Sequence, residues 1–263
     1  MCKVYPSDCP REQFEWIASR LPADNPLGRP RTTSLWAILN AIFYVLCEGC
    51  TWRGLPGDFP PWQTVYSYFR RWQKDGTLLA IHDELYVLSR LVEGRSDSPS
   101  ELIVDSQSVK TATMIADEVG YDGAKKVKGR KRHLTIDTLG LVLRVLVTAA
   151  DVPEREGGKR VLNQVKQMGP TVRRVHTVWV DGGYDGAPFY QWAIDTVRWV
   201  IWVVLRPEAT KGFVLLKKRW KVERTFGWFN RYRRLSKDYE VLPETSEAFI
   251  YLAMIRIMVR RLA

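Results

Sequence analysis

Hydrophobic positions along this chain change their period near residue 100. Over residues 10–92 they recur every three to four positions, the spacing that gives a helix one apolar stripe. REQFEWIASRLP reads as a short amphipathic helix. TTSLWAILNAIFYVLCEG reads as a longer one, with Thr32 to Ser34 as candidate caps and Gly49 as its stop. After the breaker-rich RGLPGDFPP comes WQTVYSYFRRWQKDG, whose Trp62, Val65, Phe69 and Trp72 fall on one stripe while Arg70, Arg71 and Lys74 lie off it. The polar stretch GRSDSPS, residues 94–100, then reads as a linker.

Past the linker the period shortens. ELIVDSQSV reads as a strand, and RHLTID and LVLRVLVTAA as a hairpin closed by the turn TLG. EREGGKRVLNQVKQMG reads as a helix, HTVWVD as a strand, APFYQWAIDT as a helix and VRWVIWVVL as a strand. KKRWKVERTFGWFNRYRRL and SEAFIYLAMIRIMVRRL close the chain as helices. The order is βββαβαβαα. It matches a ribonuclease H-like α/β fold, a mixed five-stranded sheet flanked by helices, behind an all-α N-terminal domain. The expected partition is 1–93 helical domain, 94–100 linker and 101–263 α/β domain.

Three of these apolar runs end on a carboxylate: Asp105, Asp137 and Asp181. A buried, unpaired carboxylate is costly, so each must be solvated, capped, ion-paired or metal-bound. In the predicted topology the strands before Asp105 and Asp181 run parallel as neighbours, which brings both carboxylates to one edge of the sheet. The strand before Asp137 runs the other way. Asp137 is therefore read as structural, a cap for the backbone of its hairpin turn.

A third carboxylate should arrive on a later element, and Glu223 is conspicuous in its basic helix. Two aspartates and a glutamate are hard oxygen ligands that suit Mg²⁺, with Mn²⁺ as substitute, rather than zinc. Two such ions about 3.5–4 Å apart can activate an attacking water or 3′-hydroxyl and stabilise the leaving oxygen of a phosphodiester. Singly, each residue has a plainer reading: an aspartate before DGGYDG forms turns, and Glu223 can pair with Arg219 on its own helix. Together they point to chemistry.

Charge narrows the partner. Forty Lys and Arg against 29 Asp and Glu give a formal charge of +11 and a pI near 9.6, which favours a polyanion, nucleic acid before acidic membrane. In KKVKGRKR six of eight positions are basic: Lys125, Lys126, Lys128, Arg130, Lys131 and Arg132. Residues 217–237 carry nine basic residues, Arg219, Arg224 and Arg231 among them. The second basic helix of the N-terminal pair fits a helix-turn-helix reader of DNA, with Arg70 and Arg71 as contacts, and it fits a plain helical bundle equally well.

The cysteines do not supply a zinc site. Only Cys47 and Cys50 have ligand spacing, and His82, His133 and His176 form no partner motif. Reduced, partly buried thiols are expected, as in a cytosolic chain. The chain has no run of 18 apolar residues and its first residues lack the apolar core of a signal peptide, so a soluble, non-exported protein is expected.

LIVDSQSVK, GYDGAKKVKGRKRHLTIDTLGL, VWVDGGYDG and KRWKVERTFGWFNRYRRLSKDYE resemble, in order and wording, the DDE transposases of bacterial insertion sequences, in particular insertion sequence family five. WRGLPGDFPPWQTVYSYFRRWQKDGT is similar to that group's helical domain. The resemblance implies that Asp105, Asp181 and Glu223 are the three catalytic, metal-holding carboxylates, separated by 76 (181 − 105) and 42 (223 − 181) residues. The second gap is too short for the β-rich insertion of some relatives. The wider superfamily often places Tyr, Arg and Lys seven and four residues before the glutamate and seven after it. Here those positions hold Leu216, Arg219 and Asn230, with Arg231 next.

The implied activity is binding of terminal inverted repeats, metal-dependent cleavage at the element's ends and transfer of the 3′-hydroxyls to target DNA. The implied partners are double-stranded DNA and a second copy of the chain, as a homodimer or higher oligomer, in the bacterial cytoplasm and nucleoid. Two alternatives remain open: a metal nuclease that cuts without joining, and a co-opted DNA-binding protein with a silent centre.

Overall fold

The computed structural model describes residues 4–23, 31–112, 116–205 and 218–263. The chain divides into two compact units, one made of residues 1–89, 230–236 and 248–263, the other of 90–229 and 237–247. The C-terminal residues thus depart from the expected partition, which placed all of 101–263 together.

The first unit is helical. Its sequence-predicted helices form as α1 (Arg11–Ala18), α2 (Leu35–Glu48) and α3 (Trp62–Lys74), and α4 (Thr77–Val92) follows. Gly49 stops α2 in the left-handed conformation, φ 72°, where a side chain would be strained. Ser34 stands at the N-cap of α2, but its side chain makes no capping hydrogen bond. Three of the four α3 stripe residues, Val65, Phe69 and Trp72, are sealed from solvent, and Trp62 is half-buried. Phe69 stacks on Phe249, ring centroids 5.1 Å apart, and Trp52 packs beside both.

The second unit is a mixed sheet with flanking helices, the ribonuclease H-like architecture. Its central strand β1 (Glu101–Lys110) pairs antiparallel with β3 (Val127–Ile136) on one side and parallel with β5 (Thr177–Val180) on the other. β6 (Val200–Val203) lies parallel to β5, and β4 (Val142–Ala149) antiparallel to β3. A three-residue strand the sequence pattern did not announce, β2 (Gly120–Asp122), pairs with the start of β3. Its helices are α5 (Glu154–Lys166), α6 (Ala187–Trp192) and α7 (Arg219–Phe229), while the last helix, α8 (Pro243–Leu262), belongs from residue 248 onward to the helical unit. No helix among the described residues is long and apolar enough to cross a membrane.

Two boundaries differ from expectation for identifiable reasons. β3 begins at Val127, five residues before the predicted strand, because the sheet takes in the basic run itself. The helix containing Glu223 stops at Phe229 instead of continuing to residue 235. Beyond it the backbone leaves the helical path and buries Tyr232, Arg234 and Leu235 in the helical unit. There Tyr232 donates to the Ala253 carbonyl (3.3 Å) and Arg234 to that of Cys50 (3.1 Å).

Candidate active site

The sheet register brings Asp105 and Asp181 level. β1 and β5 pair through Ile103↔Trp179, so two residues further along each strand the register reaches Asp105 and Asp181. Asp181 follows the last residue of β5, as expected, but Asp105 does not end its strand. β1 runs on to Lys110 with Asp105 facing Leu134 of β3, because β3 continues the hydrogen-bonded ladder after β5 has stopped.

Their surroundings are unequal. Asp105 is 9% exposed, and burial, then the charge of Asp181, push its pKa up to about 7 against the pull of Arg219 and Lys125. Its Oδ1 accepts the Ser106 N–H at 2.7 Å. Asp181 is more open. It caps the short helical turn Gly182–Tyr184 by accepting the Gly183 N–H at 3.0 Å, and Arg219 approaches its carboxylate to 3.6 Å. The Arg219 Nε is buried without a hydrogen-bond partner.

A group that the sequence reading missed completes the surroundings. Glu154, on the first turn of α5, accepts from Ser106 Oγ at 2.9 Å and from Lys125 Nζ at 3.0 Å. Burial alone would raise its pKa, but Lys125 and Ser106 outweigh it and hold the carboxyl below the usual range. Nothing in the string DVPEREGG separates Glu154 from an ordinary acidic helix start. Only the packing of α5 against β1 gives it this place.

Glu223 is exposed on α7. It shares a flank of the helix with Arg219, one turn and about 6 Å along the axis. The helix is fastened to the β3–β4 turn: Lys221 donates to the Thr138 carbonyl (2.7 Å), Arg224 to Leu139 (2.9 Å) and the Thr225 hydroxyl to Gly140 (2.8 Å). Among the described residues no three His, Cys, Asp or Glu side chains come together as a metal-binding group. Leu216 and Lys217 lie outside the described residues. The Asp105–Asp181 pair nevertheless fits a divalent cation in kind. It offers hard oxygen donors, one of them buried and in conflict with the other, and a bound cation relieves that conflict.

Asp137 sits in the opposite-edge turn. It is fully buried, accepts from the N–H groups of Leu139 (2.9 Å) and Leu141 (3.0 Å), and is ion-paired with Arg90. Burial pushes its carboxyl up in pKa while Arg90 pulls it down.

The basic run divides in two, and half of it is not a DNA surface. Lys125, Lys126 and Lys128 are exposed, whereas Arg130, Lys131 and Arg132 are buried on β3. Arg130 pairs with Asp238 at 3.2 Å and donates to the Asp117 and Glu240 carbonyls, both at 3.0 Å. Lys131 donates to the Val152 carbonyl at 2.9 Å and lies 3.4 Å from Asp122. Arg132 donates to the Lys237 carbonyl at 3.2 Å. A basic run has no preferred face in sequence; the sheet draws these three inward, where strand pairing covers their backbone and acceptors meet Arg130, Lys131 and the Arg132 NH2.

The other nominated contacts vary. Arg224 lies between the rings of Trp220 (4.6 Å) and Trp228 (4.8 Å). Arg231 is exposed but falls beyond the end of α7, so it is not two helical turns past Glu223. On α3, Arg70 bonds Gln73 at 2.8 Å and Arg71 lies over Tyr68 at 4.7 Å. Cys47 and Cys50 are free thiols whose pKa values burial raises, which disfavours the thiolate a metal needs.

Comparison with known proteins identifies the family. Residues 96–258 match the family described as Transposase DDE domain, and residues 10–82 match the one described as Putative transposase of IS4/5 family. A Burkholderia cepacia protein named Putative transposase for insertion sequence element IS402 is 28% identical over 128 residues, 47% of this chain. The chain spans 60% of the length of that curated relative. With a mixed sheet that carries the aspartate pair and a family match over residues 96–258, the chain belongs to the transposase DDE domain family.

Proposed function

We propose that this protein binds the terminal inverted repeats of an insertion sequence, cleaves phosphodiesters at its ends and joins the freed 3′-hydroxyls to target DNA. The observation that carries the reading is the β1–β5 register, which sets a buried carboxylate, Asp105, level with a solvent-accessible one, Asp181. Asp105, Asp181 and Glu223 hold the divalent ions, Mg²⁺ or Mn²⁺. Two ions held there would activate the attacking oxygen and stabilise the leaving one. Arg219 leaves Asp181 for a phosphate of the scissile strand, since its buried Nε still needs an acceptor.

Lys125, Lys126, Lys128, Arg224 and Arg231 contact backbone phosphates and position the duplex without reading its sequence. Readout of the repeat belongs to the helices of residues 1–93, with Arg70 and Arg71 facing DNA. Two ends must be processed together, so the working form is a dimer or higher oligomer, acting on DNA in the bacterial cytoplasm.

The test uses purified protein, a labelled duplex carrying the element's terminal repeat, and Mg²⁺ or Mn²⁺. Metal-dependent cleavage at the repeat end, joined products on adding target DNA, and loss of both in Asp181→Ala are the expected results. Binding without cleavage under either metal, unchanged in Asp181→Ala, would overturn the reading in favour of a DNA-binding protein with a silent centre.

A further inference from the structure

Glu154 touches the residue next to Asp105 and the glycine two positions past Asp181. One of its oxygens, Oε1, receives the hydroxyl of Ser106, the residue after Asp105. Its other oxygen, Oε2, lies against Gly183 so closely that a Cβ there would fall 1.8 Å from it. Gly183 in turn donates its N–H to Asp181. Its lack of a side chain is what admits Glu154 between the two carboxylate-bearing segments. Lys125 balances the added negative charge, at 3.0 Å from Glu154 Oε1 and 3.3 Å from the Ser106 carbonyl. Behind the group, Tyr184 is fully buried and packs on Gly158 of α5, where a Cβ would meet its ring at 2.6 Å. The start of α5 therefore sits in a fixed place relative to both segments.

We propose that Glu154 is a positioning residue of the DDE centre, holding the Asp105 and Asp181 segments at the separation that a divalent ion requires. The inference rests on the reading of Asp105 and Asp181 as metal-holding carboxylates. In the DNA-free protein Lys125 is the counter-charge of Glu154, and its phosphate contact belongs to the DNA-bound form. Groups that orient metal ligands typically change metal affinity or activity 10- to 100-fold when removed.

The experiment measures Mn²⁺ binding to the full-length protein by electron paramagnetic resonance, alongside cleavage of the terminal-repeat duplex over a divalent-ion titration. Glu154→Ala should raise both the Mn²⁺ dissociation constant and the half-maximal metal concentration for cleavage by about 10-fold or more, with duplex binding and the thermal midpoint unchanged. Ser106→Ala, which cuts the same link from the other side, should shift both in the same direction. Glu154→Gln, which keeps an acceptor for Ser106, should recover part of the loss. These variants keep the test open if Glu154→Ala fails to fold.

Unchanged metal dependence in Ser106→Ala and in a folded Glu154 variant, with Asp181→Ala inactive, would overturn the positioning role while leaving the transposase reading intact. Activity retained by Asp181→Ala would instead remove the reading on which it rests.

Discussion

Replacing Arg130 by Ala separates a buried structural cation from a DNA contact. The guanidinium is fully buried, its NH1 is 3.2 Å from Asp238, and it satisfies the carbonyls of Asp117 and Glu240. Asp238 is also sealed from solvent and accepts the Ser246 hydroxyl at 2.8 Å. Removing the arginine takes one of two buried cations from a buried carboxylate, leaving it Arg132, and strands backbone acceptors. Breaking a buried pair from one side costs about 3–5 kcal/mol, a large share of the roughly 5–15 kcal/mol that holds a domain folded. With a urea slope of about 2 kcal/mol per M, the unfolding midpoint should drop by about 2 M.

The assay is urea unfolding followed by circular dichroism, run beside the salt dependence of duplex binding. A double-mutant cycle with Asp238→Ala should show coupling above about 0.5 kcal/mol, because the two side chains share one network. A midpoint lowered by less than about 0.5 M, with weakened DNA binding by the folded variant, would place Arg130 on the DNA face and refute the reasoning.

Other expectations follow from the same contacts. Lys128→Ala, at an exposed position of that basic run, should reduce the slope of log affinity against log salt by about 1 and leave stability within about 0.5 kcal/mol, read by fluorescence anisotropy and thermal melts. Burial pushes Glu247 up to about 7, so its proton stays on longer in the folded than in the unfolded chain. Its contribution is fully present below the ordinary value of 4.5 and is lost as pH rises through 7, a change of about 3 kcal/mol that Glu247→Gln should flatten in pH-dependent urea melts. Gly157→Ala would put a Cβ 2.0 Å from the ring of buried His133, and should cost about 1–3 kcal/mol. That loss lowers the thermal midpoint by several degrees; an unchanged midpoint would contradict the packing of α5 on β3.

Local chemistry was enough to determine much of this chain. The period of the apolar positions set the helices before residue 92 and the strand-rich stretch after 100, because one-sided burial imposes 3.6 on a helix and 2 on a strand. Gly49 announced its own turn because only a residue without Cβ adopts that backbone readily. The strand order alone pairs Asp105 with Asp181, since adjacent parallel strands carry equivalent positions to one edge. What depended on residues far apart in sequence had to wait for the fold. Six cations among eight residues look alike on paper, and Arg130 turned inward because Asp238, 108 residues away, was there to receive it. The strand holding Asp105 ran on because β3 supported it beyond β5. Glu154 joined the two aspartate segments through Ser106, 48 residues distant, and through a glycine that left room for it. Tertiary structure decided these points because hydrogen bonding and burial depend on which groups meet, and a linear pattern records only their spacing.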